Sequence, residues 1–229
     1  MHSLTLVGIN TIYIRRKLEK TIQLISLTST EIWVRLFLRG AMLRNIVLVG
    51  VAGVGKTTLG KLAAEKLGIS FMDVDMGFEK AEGADIDTLL CRYGDKEFDT
   101  RILNYFKKHI SKADYITFAA PARITHYKGF WDAVRQNGLS IHLRGKPMEV
   151  YMRQDMWVAG RKLTKKEKYE EQWKRDFYDY YEWRLAHCQK ADYTVRIVGE
   201  KQTDSENLCR KIREIIPIDN SGRNGVSNR

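Results

Sequence analysis

From residue 43 onward, short continuous apolar runs alternate with longer segments in which apolar residues recur every three or four positions. The first run, Asn45-Ile46-Val47-Leu48-Val49, is rich in β-branched residues and has the length of a strand buried on both faces. Residues 57–67 then place Leu59, Leu62, Ala63 and Leu67 on one helical face, and Gly68 follows as the C-cap. Residues 69–75 form a predicted second strand. Phe98, Ile102, Tyr105, Phe106 and Ile110 keep helical spacing, which predicts an amphipathic helix over 95–110. Residues 113–118 lead into a third strand, and Ala119-Ala120-Pro121-Ala122-Arg123 continues it as a small-residue turn. A helix around 130–135, a fourth strand at 140–144 and a helix opened by Pro147 come next. A long helical stretch over 170–187 carries Trp173, Phe177, Tyr178, Tyr180, Tyr181 and Trp183, aromatics expected to pack rather than to stack bases. Residues 192–198 alternate as a fifth strand, and a closing helix spans roughly 205–215. Strand and helix in alternation over about 175 residues predict a three-layer α/β fold, a five-stranded parallel sheet with helices on both faces.

The two ends read differently. Residues 1–41 mix eight Ser/Thr with Arg15-Arg16-Lys17, Arg35 and Arg39. That composition fits an organelle transit peptide, and it equally fits upstream sequence translated from a start codon assigned too early. The early start, with Met42 as the natural beginning, is the favoured reading. The domain is therefore expected over 42–217, and residues 218–229 as a disordered tail. The three cysteines, Cys91, Cys188 and Cys209, are widely spaced and odd in number, which suits free thiols in a reducing compartment. No run of 18 apolar residues occurs, so no membrane span is expected.

Between the first strand and the first helix lies Gly50-Val51-Ala52-Gly53-Val54-Gly55-Lys56-Thr57-Thr58, which satisfies G-x-x-x-x-G-K-[ST] at every fixed position. Strand, glycine loop and helix in that order aim backbone N–H groups and a helix N-terminus at one anion. Gly50, Gly53 and Gly55 allow the positive φ and the close backbone approach that a phosphate needs. With Val54 and Thr58 they form the expected ATP cradle, Lys56 reaches the β- and γ-phosphates, and the Thr57 hydroxyl ligates Mg²⁺. The predicted second strand ends in Asp73-Val74-Asp75, and alternation places both acids on one side of an extended chain. At the carboxyl end of a strand, one could hold Mg²⁺ through water and the other orient or deprotonate an acceptor hydroxyl.

The formal charge is +11. It suits a polyphosphate with an anionic acceptor, or nucleic acid. The segment 161–175 sets seven Lys/Arg against three Glu. Following a helix, it fits a flexible arm able to close over bound phosphates. A nucleotide-binding regulatory or nucleic-acid-associated protein, its basic arm holding a phosphate backbone, is the competing class, and kinase action on a nucleotide or polynucleotide end a third. Steep loss of affinity with salt separates backbone binding from pocket binding. The expected partner is a small hydroxylated molecule, with no nucleic acid, no membrane and a monomeric, cytoplasmic protein, or an organellar one if residues 1–41 are a transit peptide.

From about Leu43 to Ile216 the chain resembles shikimate kinase, most strongly over the block from Asn45 through Gly55-Lys56-Thr57-Thr58 to Asp73-Val74-Asp75. The resemblance implies a P-loop kinase fold with a lid, here about 158–170, and phosphoryl transfer from ATP with Mg²⁺ to a hydroxyl of shikimate or a similar acceptor. It implies Asp73 in the Mg²⁺ shell and Asp75 on the acceptor hydroxyl. It implies Arg153 near adenine, Arg161 of the lid at the transferring phosphate, and Arg184 on the acceptor carboxylate. Two departures touch the acceptor side. A Phe-Arg pair is expected in the helix after the acids, but Phe98 is followed by Asp99, and Arg101 lies about 200° around the helix. Three consecutive glycines are expected after the third strand, but the chain has Ala119-Ala120-Pro121, and Pro121 has no N–H. On this reading Asp99 repels a carboxylate acceptor, and Arg123 offers a different anion contact.

Overall fold

The computed structural model describes residues 45–113, 116–153, 157–158, 161–162 and 171–216. The expectations for residues 1–41, for most of the lid and for the tail lie outside them. In chain order the elements are β1 (Asn45–Val49), α1 (Lys56–Leu67), β2 (Ser70–Asp73), α2 (Val74–Glu82), α3 (Ile86–Ile110), β3 (Ile116–Ala119), a 3₁₀ turn (Ala122–His126), α4 (Lys128–Asn137), β4 (Gly138–Arg144), α5 (Pro147–Arg153), β5 (Trp157–Val158), β6 (Arg161–Lys162), α6 (Glu171–Cys188), β7 (Tyr193–Arg196) and α7 (Lys201–Ile215). Five strands make one sheet in the order β2-β3-β1-β4-β7, and every pair in it is parallel. Parallel neighbours need crossovers, and the helices that provide them cover both faces.

β1 is central, and its side chains divide between two cores. Ile46 and Leu48 pack with α1, α5, α6 and α7 through residues such as Leu59, Tyr151, Phe177 and Leu208. Val47 and Val49 pack on the other face with α2, α3 and α4, against Phe78, Phe98, Phe106 and Trp131. A continuous apolar run is what a strand covered on both faces requires. On α1 the buried residues are Leu59, Gly60, Ala63, Ala64 and Leu67, while the predicted Leu62 is only half-buried. In α6, Phe177 and Tyr181 are buried, as packing requires, but Tyr178 and Trp183 are 40% and 46% exposed.

Two predicted boundaries move, for capping reasons. The second strand stops at Asp73, whose side chain accepts from the Met76 N–H at 3.1 Å and so caps α2. Asp75 therefore sits in the first turn of a helix and not on an extended strand. α3 starts well before residue 95. Asp85 caps it by accepting from the Thr88 N–H at 2.8 Å, and a break at Gly94, φ 70°, divides it before the amphipathic part. Ala119, expected in a turn, is still in β3, paired in register with Leu48 and Asp73.

Asn45, 2% exposed, ties these layers together. Its Nδ2 donates to the carbonyls of Ile110 (3.3 Å), Ala113 (3.0 Å) and Asn137 (3.0 Å), and its Oδ1 accepts from the Ile116 N–H at 3.1 Å. One amide thus fixes the ends of α3 and α4 against the starts of β1 and β3. Asn45→Ala strips partners from buried backbone groups, and a loss of roughly 3–5 kcal/mol in urea unfolding is expected. A loss below about 1 kcal/mol would show that water replaces the amide at no cost.

Candidate active site

The carboxyl end of β1 opens directly into the glycine loop. At Gly50 an added Cβ would come within 2.7 Å of the Leu143 carbonyl oxygen, so β4 leaves no room for a side chain there. Gly53 and Gly55 hold φ 74° and 107°, a region that favours glycine. Gly55 is also the N-cap of α1 and supplies no capping side chain, which leaves the helix N-terminus to an outside anion. Val54 between them is fully buried and anchors the loop in the core, and Thr58 is exposed on the first turn of α1.

Lys56 curls back over this loop, and its Nζ donates to the carbonyls of Gly50 and Val51 at 3.0 Å each. Burial lowers its pKa, and the Asp75 carboxylate works against that shift. The Thr57 hydroxyl donates to Asp73 Oδ2 at 2.6 Å. A hydroxyl and a carboxylate meeting at the mouth of a phosphate-type loop are the hard oxygen donors that Mg²⁺ takes alongside phosphate and water, so these residues fit that ion. Asp75 lies beyond them on α2. Burial and then the neighbouring Asp73 push its pKa up to about 6, against the pull of Lys56. Among the described residues no cluster of three or more His, Cys, Asp or Glu could hold a metal by itself. Cys188 is buried, and burial raises its thiol pKa against the pull of the Lys56 charge.

His142 on β4, paired in register with Val49, is 4% exposed. Burial first, then the charges of Arg144 and Lys56, press its pKa down to about 4. The folded state then binds fewer protons than the unfolded chain between about pH 6.5 and 4, so stability is full above that window and lost as pH falls through it. Acid should remove about 3 kcal/mol across this interval on His142's account. His142→Leu should flatten that part of the stability–pH curve, and an unchanged slope would show that His142 is not the group titrating.

The residues expected on the acceptor side lie on α3, the 3₁₀ turn and α6. Asp99 is not free to face a ligand, as the sequence had suggested. It is 7% exposed, its Oδ1 accepts from Arg123 Nε at 2.7 Å, and its Oδ2 accepts from the Tyr127 hydroxyl at 3.0 Å. Arg123 also donates from Nη2 to Asp95 at 2.7 Å, so the guanidinium expected to bind an anion is already shared by two carboxylates. Arg184 donates from Nη1 to the carbonyls of Ala122 (2.7 Å) and Arg123 (3.4 Å), and its buried Nε has no partner among the described residues. Its guanidinium lies 4.5 Å from the Trp183 ring centroid. After β3, the Ala120 N–H is used by the Leu48 carbonyl at 3.0 Å and Pro121 has none, so neither offers an amide to a ligand.

Arg153 ends α5 with its Nη2 3.8 Å from Glu149, beside the loop after β7, where a Cβ on Gly199 would come within 2.8 Å of it. That loop is set by Asp204, which accepts from the Val198 and Gly199 N–H groups. Arg161 starts β6, antiparallel to β5 with Val158 opposite, and the remainder of the expected lid is outside the described residues. Lys56, Thr57, Asp73 and Asp75 are thus brought to one place, Arg184 and Arg123 to each other at the 3₁₀ turn, and Arg153 to the loop after β7. The sequence reading missed Tyr127 and Cys188. Tyr127 is placed by a bond across 28 residues to Asp99, and Cys188 reaches the same layer from the last residue of α6, separations that no local spacing can signal.

The family model for shikimate kinase matches residues 52–217. The shikimate kinase of Caldicellulosiruptor bescii is 33% identical over 104 residues, 44% of this chain and 58% of that protein. That of Thermodesulfovibrio yellowstonii is 48% identical over 56 residues, 24% of this chain and 32% of its own length. The chain therefore spans about a third to somewhat over half of these two relatives. Among solved structures, shikimate kinase from Bacteroides thetaiotaomicron superposes with a TM-score of 0.63 at 20% identity, covering 75% of this chain and 97% of that one. The Acinetobacter baumannii enzyme, in complex with shikimate, gives 0.60 at 23% identity over 79% and 96%. At such identities these two show a shared fold. The family match, by contrast, runs from Ala52 within the glycine loop through both acids and Arg184 to residue 217, and the chain belongs to the shikimate kinase family.

Proposed function

We propose that this chain transfers the γ-phosphoryl group of ATP, with Mg²⁺, to a hydroxyl of a small hydroxylated metabolite. The observation that carries the reading is the meeting of Lys56, the Thr57–Asp73 pair and Asp75 at the mouth of the glycine loop, with an arginine N–H left over on the acceptor side. In phosphoryl transfer the protein's work is positioning and charge neutralisation. The loop amides around Gly53, Val54 and Gly55 hold the phosphates, and Lys56 leaves its loop carbonyls to meet the transferring group. Thr57 and Asp73 would hold Mg²⁺, which when bound neutralises phosphate charge. Asp75 accepts the hydrogen bond of the attacking hydroxyl and orients it. Arg184 offers its unpartnered Nε–H to the acceptor, Arg153 borders the base, and Arg161 comes over the phosphates from the lid.

Shikimate is the first acceptor to test, because the Acinetobacter baumannii relative binds it. ADP release should be measured against a panel of hydroxylated acids and polyols, with the phosphorylated product identified. Turnover that depends on one such acceptor supports the reading. ATP hydrolysis indifferent to every acceptor sinks it.

A further inference from the structure

We propose that Asp99 is a positioning residue for the acceptor site, acting through Arg123 to fix the Arg184 guanidinium; this rests on the kinase reading above and adds how its acceptor arginine is held. The path is continuous. Asp99 Oδ1 takes the Arg123 Nε–H at 2.7 Å, which pins that side chain over the Phe98 ring, 5.3 Å from its centroid. Pinning Arg123 pins the 3₁₀ turn that carries it, and two carbonyls of the turn, Ala122 and Arg123, accept from Arg184 Nη1. Arg184 arrives on a different element, α6, 61 residues away from Arg123 in sequence. With Nη1 so used, the guanidinium is oriented, and its buried Nε–H meets no acceptor among the described residues. A buried donor without a partner is costly, so the arrangement is built around something absent from the apo chain.

Asp95 supplies an internal comparison. It accepts from the same arginine at the same 2.7 Å, but its side chain is 86% exposed against 9% for Asp99. An ion pair in water is worth little, whereas a buried carboxylate with two donors holds its partner firmly. Only the Asp99 arm should matter.

The sign of one measurement decides between this role and simple electrostatics. If Asp99 merely places negative charge near an anionic acceptor, Asp99→Asn should lower the KM for shikimate. If it positions Arg184, Asp99→Asn should raise that KM several-fold and Asp99→Leu about ten- to thirtyfold, by loss of a charge-assisted contact. KM for ATP should stay within about twofold in both, and Asp95→Asn should change neither constant, as expected of an exposed pair. The second readout needs no acceptor. In ¹⁵N–¹H spectra of arginine side chains, the Arg184 Nε–H signal, identified by its absence in Arg184→Lys, should be sharp in the unaltered chain. It should shift or broaden in Asp99→Asn and persist unchanged in Asp95→Asn. A KM for shikimate that falls in Asp99→Asn, or an Arg184 signal indifferent to Asp99, overturns the proposal. Absence of turnover with any acceptor would overturn the kinase reading instead, and the Arg184 signal would still decide the positioning role.

Discussion

Lys56→Ala should lower kcat/KM for phosphoryl transfer by about a hundredfold or more, the size of effect seen when one preorganised charge is removed from a site. Its Nζ is the ammonium group in the loop, half-buried between the Gly50 and Val51 carbonyls, with Asp75 and Asp73 near enough to bias its charge. In the apo chain the lysine donates to those two carbonyls, and its loss removes two bonds from the loop and none from the core clusters. The melting temperature without nucleotide should drop by only about 2–4 °C, equivalent to about 1 kcal/mol for a domain of this size. Lys56→Arg keeps the charge but replaces a compact ammonium with a planar fork, and should recover little. Activity near that of the unaltered chain in Lys56→Ala would remove the glycine loop from the mechanism. A collapse in melting temperature would move the residue from chemistry to folding.

Much of the fold was legible because it depends on residues close in sequence. β1 falls on the predicted 45–49, and Gly68 ends α1 in the left-handed conformation, donating to the carbonyls of Ala64 and Glu65. What the periodicity misplaced were boundaries set by single capping side chains. The run from Ile69 to Asp75 has the length of a strand and ends in acids at alternate positions, but the Asp73 carboxylate gives the Met76 N–H a helical cap, and that bond outweighs the pattern. Similarly, the helix before Gly94 carries only Leu89 as a fully buried apolar residue, too few for a hydrophobic stripe to announce it.

The candidate site divides along the same line. Its expected nucleotide half is contiguous in sequence, so Gly50, Gly53, Gly55, Lys56 and Thr57 could be read from one motif; in the structure the three glycines take positive φ, Lys56 donates to the loop carbonyls and Thr57 to Asp73. Its expected acceptor half draws on residues of α3, the 3₁₀ turn and α6. The sequence could show that an acid stands at 99 and a proline at 121, but not that Arg123 folds across 24 residues to neutralise that acid. The sign of the expected effect changes accordingly. Asp99→Arg, which from the sequence alone would supply a missing cation, sets two guanidinium groups against each other and should weaken acceptor binding.

Asp73 and Asp75 differ by one residue of separation and should fail in different ways. Asp75→Asn keeps the shape of the side chain but cannot take a proton from the attacking hydroxyl or carry its hydrogen bond as strongly, and kcat should fall by about 10²- to 10⁴-fold. The Mg²⁺ concentration giving half-maximal rate should not move, because the partner of Thr57 is Asp73 and not Asp75. Asp73→Asn retains an oxygen for the Met76 N–H, so α2 keeps its cap and the fold its stability. It loses the anionic partner of the Thr57 hydroxyl, and half-maximal Mg²⁺ should rise about tenfold or more, in line with the loss of a group that supports a metal ligand. Titrating Mg²⁺ against rate in both variants at saturating ATP separates the roles. If Asp75→Asn shifts the Mg²⁺ requirement and Asp73→Asn does not, the two acids have exchanged roles, and the carboxylate that meets the acceptor hydroxyl is the one at the end of β2 and not the one on the first turn of α2.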